Sequence, residues 1–303
     1  MLETFARFVQ RLLANGVFRI ADFSQKGYDE LVTAAGVASE CGWAVLPRQI
    51  ERAKASPGYL VIDDTNNPKY GLKGKARTLF VPATKGFRSG YRLQLFLWVT
   101  ERGAFPIAFA LWHAESEKLL ALALALLGEL RNRQGLKPGM VLADAAYGSA
   151  AVLKRLDDYR WGLVMRFKGD RKLDGAPVSK RIPRGWGSTV GRLANGVKLK
   201  VVRSGGHFLC SNRVSLGNGS VREIYRLRWK VEEAFRFLKT VLKLGGCHQH
   251  SIRAQAVFVS LLLSLHCGLV AVSGGNPYQA ARDVISGRLD LWKLLQETFP
   301  GYA

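Results

Sequence analysis

With 303 residues, 48% of them hydrophobic, the chain is long enough to bury a sizeable core, which excludes a disordered tail or a small disulfide-stapled domain. Its formal net charge of +22 favours a polyanion through steering and counterion release, so nucleic acid is the leading partner. A membrane surface fits less well, because the basic residues are spread over loops and strand-like segments with no dominant basic amphipathic helix.

The N-terminus MLETFARFVQRLLANGVFRI scatters charges among its apolar positions and does not read as a secretory signal. Cys41, Cys210, Cys247 and Cys267 are widely separated and form no CxxC pair, so a reducing, cytoplasmic setting is expected. Residues 1–57 read as a small helical unit, with apolar spacing in Phe5, Phe8, Val9, Leu12 and Leu13, closed by Pro47 and the punctuation Ser56-Pro57-Gly58.

YLVID at 59–63 is a short apolar, β-rich run ending in Asp63-Asp64-Thr65, which predicts a buried strand with acids at its C-terminal end and a loop after it. The stretch from Lys69 to Arg92 then carries Lys69, Lys73, Lys75, Arg77, Lys85, Arg88 and Arg92 without one acid. It is expected to lie along a DNA backbone, with a solvated loop as the plain alternative. RLQLFLWVT at 92–100 and FPIAFALWH at 105–113 flank a turn and predict an antiparallel hairpin, so the sheet is mixed. A helix over 115–133 follows, and then MVLAD at 140–144, again an apolar run ending in an acid and feeding a helix to about Asp158. Such strand–turn–helix units present functional groups at strand C-termini, which singles out Asp144.

Residues 58–159 therefore form the first part of an α/β core. From 160 to 219 the pattern changes to short alternating runs separated by glycines, a β-rich insertion holding twelve Lys or Arg between Arg160 and Arg203. Residues 220–275 complete the core with two long helices, about 220–244 and 252–272, and 276–303 form a weakly patterned tail. Val257–Val272 is interrupted by His266 and reads as a buried helix. Cys247, His248 and His250 raise the question of zinc, but about 16 helical residues, roughly 24 Å, separate His250 from His266, so one cage does not hold both groups. A loop after the Gly245-Gly246 helix stop is the simpler reading.

In the first of those helices Tyr225, Arg228, Glu232 and Lys239 are spaced Tyr-x2-Arg-x3-Glu-x6-Lys. On a regular helix the four fall within an arc of about 60° and spread along about 21 Å. An adjacent stripe of Ile224, Leu227, Val231, Phe235, Leu238 and Leu242 would seat the helix on a core. Charges on an amphipathic helix are ordinary, and the face gains meaning only beside Asp64 and Asp144. Three hard oxygen ligands without clustered histidine suit Mg²⁺ or Mn²⁺, and two such ions serve phosphodiester displacement.

VIDDT, LADAAYG and the Tyr-Arg-Glu-Lys spacing resemble the three catalytic motifs of DDE transposases from insertion sequences, in the subgroup named for that spacing, over residues 59–245. The resemblance implies an RNase H-like mixed sheet flanked by helices, with a β-rich insertion before the last catalytic helix. It implies that Asp64, Asp144 and Glu232 are catalytic and bind two Mg²⁺ (or Mn²⁺). Tyr225, Arg228 and Lys239 would grip phosphates of the transposon end, and target DNA and a homodimeric synaptic complex would be the partners. Asp63 and Asp64 face opposite ways in a strand, so one is the ligand; Asp64 matches the family position, which leaves Asp63 as a partner for a nearby base. Lys73, Lys75 and Arg88 are further DNA-binding candidates, Trp186 a candidate for stacking on a flipped base, and Trp229 a packing residue. A non-catalytic DNA-binding descendant and a nuclease without strand transfer are the competing readings. The N-terminal unit is short and no long C-terminal dimerisation domain follows, which leaves end recognition open.

Overall fold

The computed structural model describes every residue except 1, 16–22, 36–41, 70, 73–74, 82–83, 183–186 and 299–303. Helices α1 (Leu2–Asn15) and α2 (Gln25–Ala35) precede strand β1 (Trp43–Val45) and helix α3 (Pro47–Ala55). The N-terminal region is thus helical as expected, except that β1 adds an edge strand to the main sheet.

The sheet is built around β2 (Tyr59–Pro68), β4 (Gly86–Thr100) and β5 (Gly103–Trp112), with β3 (Arg77–Val81) alongside β4. Leu60, Val61 and Ile62 are fully buried, as the unbroken apolar run demands of a strand covered on both faces. Strand β6 (Met140–Ala143) joins β2 in parallel and β7 (Gly162–Phe167) joins β6 in parallel. Among the described residues the order is β1-β5-β4-β2-β6-β7-β12-β11-β10, a mixed sheet of ten strands counting β3.

Between β7 and the signature helix lie the small hairpin β8 (Lys172–Leu173) and β9 (Ala176–Pro177), one helical turn α6 (Val178–Arg181), and β10 (Ser188–Arg192), β11 (Lys198–Ser204) and β12 (His207–Ser211). The insertion is β-rich, and its last three strands extend the core sheet, because β12 pairs with β7.

Helix α4 (Leu119–Gly128), which closes in a π-turn over Glu129–Arg133, covers one face together with α5 (Ala150–Asp158). The Ser149 hydroxyl accepts from the Val152 amide at 3.2 Å and caps α5. The opposite face is covered by α7 (Asn218–Arg226), α8 (Trp229–Thr240) and α9 (Ile252–Val272). Helix α9 is the one helix among the described residues long and apolar enough to cross a membrane, yet 83% of that stretch is buried inside the fold. It is the core helix expected, and α10 (Pro277–Ile285) and α11 (Leu291–Thr298) pack against it. The tail is therefore helical, its short amphipathic turns drawn into place by α9 more than by any pattern of their own.

Candidate active site

The parallel pairing of β2 with β6 ends at Ile62 and Ala143, and Asp144 follows at once. Strand β2 runs on to Pro68 paired with β4 and leaves a notch at the C-terminal ends of the two parallel strands. Open α/β sheets bind ligands in such notches.

Alternation along β2 decides which acid faces which helix. Val61 packs in the core beneath α8 and α9, while Leu60 and Ile62 pack beneath α4 and α5. Asp63 shares the side of Val61. Its Oδ2 accepts from Arg228 Nη1 at 2.6 Å, and Arg228 Nη2 donates to Glu232, so one guanidinium bridges the two carboxylates. Asp144 lies two residues past Leu142, which pairs with Val61 and packs in the same core. The structure thus brings Asp63 to Glu232 through Arg228, while the charge of Asp144 reaches both Asp63 and Asp64. Burial pushes the Asp63 carboxyl up to about 7, an effect that Arg228 opposes and the charge of Asp144 reinforces.

The other face is different. Asp64 Oδ1 accepts from the Tyr147 hydroxyl at 3.0 Å, and Oδ2 pairs with Arg92 Nη1 at 3.1 Å. Gln94, opposite Asp64 on β4, donates to Tyr147 at 3.1 Å. Burial raises the Asp64 carboxyl, Arg92 and Tyr147 draw it back, and the charge of Asp144 raises it as it does that of Asp63. Asp144 Oδ1 accepts from the Ala146 amide at 2.8 Å, a turn that fixes the loop carrying Tyr147.

The signature residues span two helices. Between α7 and α8 the amides of Leu227, Arg228, Lys230 and Val231 bond three residues back, at 3.0–3.1 Å. This tightened turn winds at about 120° per residue, which brings Tyr225 and Arg228, three residues apart, onto one line. Its ring meets the Arg228 guanidinium, 5.6 Å from the centroid, and burial raises its hydroxyl pKa. Lys239, seven residues beyond Glu232, donates to the Thr65 hydroxyl, and burial of its ammonium lowers its pKa. Asp64, Thr65, Asn66, Arg92, Lys239 and Val81 line a cleft of about 600 Å³. The Nε atoms of Arg92 and Arg228 are buried without a hydrogen-bond partner.

A family model, the transposase DDE domain, matches residues 55–267. The chain belongs to this family and is a DNA transposase. No curated protein matches the sequence. Among solved structures it is similar to the piggyBac transposase in a synaptic complex with hairpin DNA. The TM-score is 0.53 at 12% identity, covering 98% of this chain and 71% of that one. That likeness concerns the fold, and it agrees with the RNase H-like mixed sheet read from the sequence.

The remaining candidates of the transposase fall into three groups. Lys75 is exposed and pairs with Glu115 at 3.1 Å, which ties it to the segment after β5. Arg88 is exposed on β4 opposite Leu79. Lys73 and Trp186 lie outside the described residues. Trp229, expected to pack, is 50% exposed at the start of α8, where helical spacing sets it about 160° from the centre of the apolar stripe. Cys247 is buried, and burial pushes its thiol up to about 11. Thr65, Arg92 and Tyr147 escaped the sequence reading, although Tyr147 stands within LADAAYG and Arg92 closes the acid-free basic run. A cavity of about 740 Å³ lies under the β4–β5 turn, and none of the site residues lines it.

Proposed function

We propose that this transposase cuts phosphodiesters at transposon ends and joins the released 3′-OH to target DNA, with Asp63, Asp144 and Glu232 holding two Mg²⁺ or Mn²⁺ ions. The observation that carries this reading is the convergence of Asp63 and Glu232 on Arg228 in the notch beside Asp144. The donors are hard carboxylate oxygens, and a desolvated acid such as Asp63 gains from any cation, so the set fits a divalent hard ion. When bound, such ions activate the attacking oxygen and stabilise the leaving one.

The protein's own side chains do the rest. Arg228 neutralises two carboxylates, and Tyr225 backs its guanidinium and limits its swing. Lys239 and Arg92 flank the cleft with positive charge. Asp64 and Tyr147 hold β2, β4 and the loop after β6 in register from the far face and so fix where Asp63 and Asp144 stand. The piggyBac structure is that of a synaptic complex with hairpin DNA, which supports DNA ends as substrate, and a homodimer is the working assembly we propose.

The test is nicking of a supercoiled plasmid carrying the element's own flanking DNA. Mg²⁺- or Mn²⁺-dependent nicks with 3′-OH ends, followed by joined products, are expected. Metal-independent nicks, or nicks that leave 3′-phosphates, would overturn the reading. Lys239→Ala and Arg88→Ala are each expected to flatten the salt dependence of DNA binding by about one unit per lost phosphate contact.

A further inference from the structure

The hairpin of β3 and β4 carries its apolar residues on the wrong side. Cross-strand pairs put Thr78 with Ser89 and Phe80 with Phe87 on one face, and Leu79 with Arg88 on the other. Leu79 is 1% exposed, so its face is the one that meets the protein. Phe80 and Phe87 nevertheless stand on the solvent face, 48% and 69% exposed. They form an edge-to-face pair with centroids 5.5 Å apart, and Phe87 is the more open of the two. Ordinary hairpin patterning would put polar residues there, and an exposed aromatic pair marks an interaction site.

The surroundings say what kind of partner it takes. Lys85 in the turn and Arg88, which follows Phe87 but stands on the reverse face opposite Leu79, are exposed, and among the described residues neither has an acidic partner. No acid occurs anywhere from Lys69 to Arg92. Aromatic faces set among unpaired cations match nucleic acid, whose bases stack and whose phosphates pair. The hairpin is also fixed relative to the notch: Asn66 Nδ2 donates to the Phe80 carbonyl at 2.6 Å, and Val81 lines the cleft with Asp64 and Lys239. Gly90 permits this close seating, since a Cβ there would lie 2.3 Å from the Asn67 carbonyl oxygen.

We propose that Phe80 and Phe87 form a stacking platform for unpaired nucleotides of the DNA beside the cleavage site, with Lys85 and Arg88 holding the adjoining phosphates. The proposal rests on the DNA-cutting reading and adds to it a contact with bases. It assigns a role to a segment that the sequence presented only as a basic run.

The experiment measures binding, without metal, to a short paired duplex and to the same duplex with a small central bubble. Wild-type protein is expected to prefer the bubble. Phe80→Ala/Phe87→Ala should lose that preference by about ten-fold, the range of one base–aromatic stack, with an unchanged salt slope. Phe87→Trp should retain it. Lys85→Ala/Arg88→Ala should weaken both DNAs alike and flatten the slope by up to about two units. Because the rings are exposed, the aromatic variant should unfold at the wild-type temperature, which separates a lost contact from a lost fold. An undiminished bubble preference in the double alanine variant overturns the platform. So does a wild-type dimer, seen by sedimentation, that this variant alone dissolves, since the patch would then bind a second copy of the chain. In either case metal-dependent nicking by the wild type leaves the proposed function standing, whereas a wild type that binds neither DNA overturns both.

Discussion

The two faces of β2 begin one residue apart and end in different chemistry. On one face Asp63 meets Arg228, 165 residues away in the chain, and through it Glu232. On the other Asp64 meets Arg92 on the neighbouring strand and Tyr147 just past β6. Both acids are desolvated and both have an arginine, so neither burial nor pairing separates them. What differs is the company: the Asp63 face joins two carboxylates, Asp63 and Glu232, on one guanidinium, while Asp64 is held by Arg92 and a phenol that an amide supports, at the edge of the cleft that Lys239 lines.

The largest effect should come from the acids of the first face. Glu232→Gln and Asp144→Asn are expected to bring metal-dependent nicking to background while leaving salt-sensitive DNA binding in place. Wild-type-like nicking by either variant would dissolve the contrast between the faces.

Arg228→Ala strips the first face of its cation. Breaking a buried ion pair costs about 3–5 kcal/mol, but Asp63 lies near its titration point and takes up a proton, which limits the loss to about 2 kcal/mol in denaturant unfolding at neutral pH. A variant as stable as wild type would mean that the guanidinium does not compensate these carboxylates.

Tyr147→Phe tests the second face. Removing one hydrogen bond to a buried carboxylate should destabilise the fold by about 1–2 kcal/mol and slow nicking only modestly. Loss of nicking as complete as in Glu232→Gln would make Asp64 and Tyr147 part of the chemistry.

The smallest effect at neutral pH lies far from both faces. His266 is 3% exposed; neither ring nitrogen has a well-formed hydrogen bond, and the nearby backbone of Ala104 only partly offsets the burial that lowers its pKa to about 4. The unfolded chain binds this proton near pH 6.5, so between pH 6.5 and pH 4 unfolding takes up a proton and stability falls as pH falls. His266→Leu should flatten that limb of the stability profile by an amount on the order of 2–3 kcal/mol and leave nicking at neutral pH unchanged. An unaltered acid limb would show that the ring titrates as it does in water.

Much of this was legible in the chain. The apolar runs ending in acids located β2 and β6, and the hairpin of β4 and β5 followed from its alternation. The span 252–272 was read as the buried helix that α9 is. The Tyr-Arg-Glu-Lys spacing found the helix that crosses the notch. The different surroundings of Asp63 and Asp64 were not legible, because they depend on which side of β2 receives α8, a long-range packing outcome that alternation alone does not decide. The tightened turn at Leu227-Arg228 was hidden too, since a helical periodicity reads straight through it. Strand β3 escaped because RTLFV sits within a basic run whose charge outweighed its short alternation, and Phe80 and Phe87 drew no notice until the register paired them.

The most direct test compares Asp63→Asn with Asp64→Asn in the same metal-dependent nicking assay, each checked for folding by thermal unfolding. The account predicts that Asp63→Asn is folded and inactive, while Asp64→Asn is less stable yet still nicks DNA. A folded, inactive Asp64→Asn beside an active Asp63→Asn would contradict it and move the site to the other face of the strand.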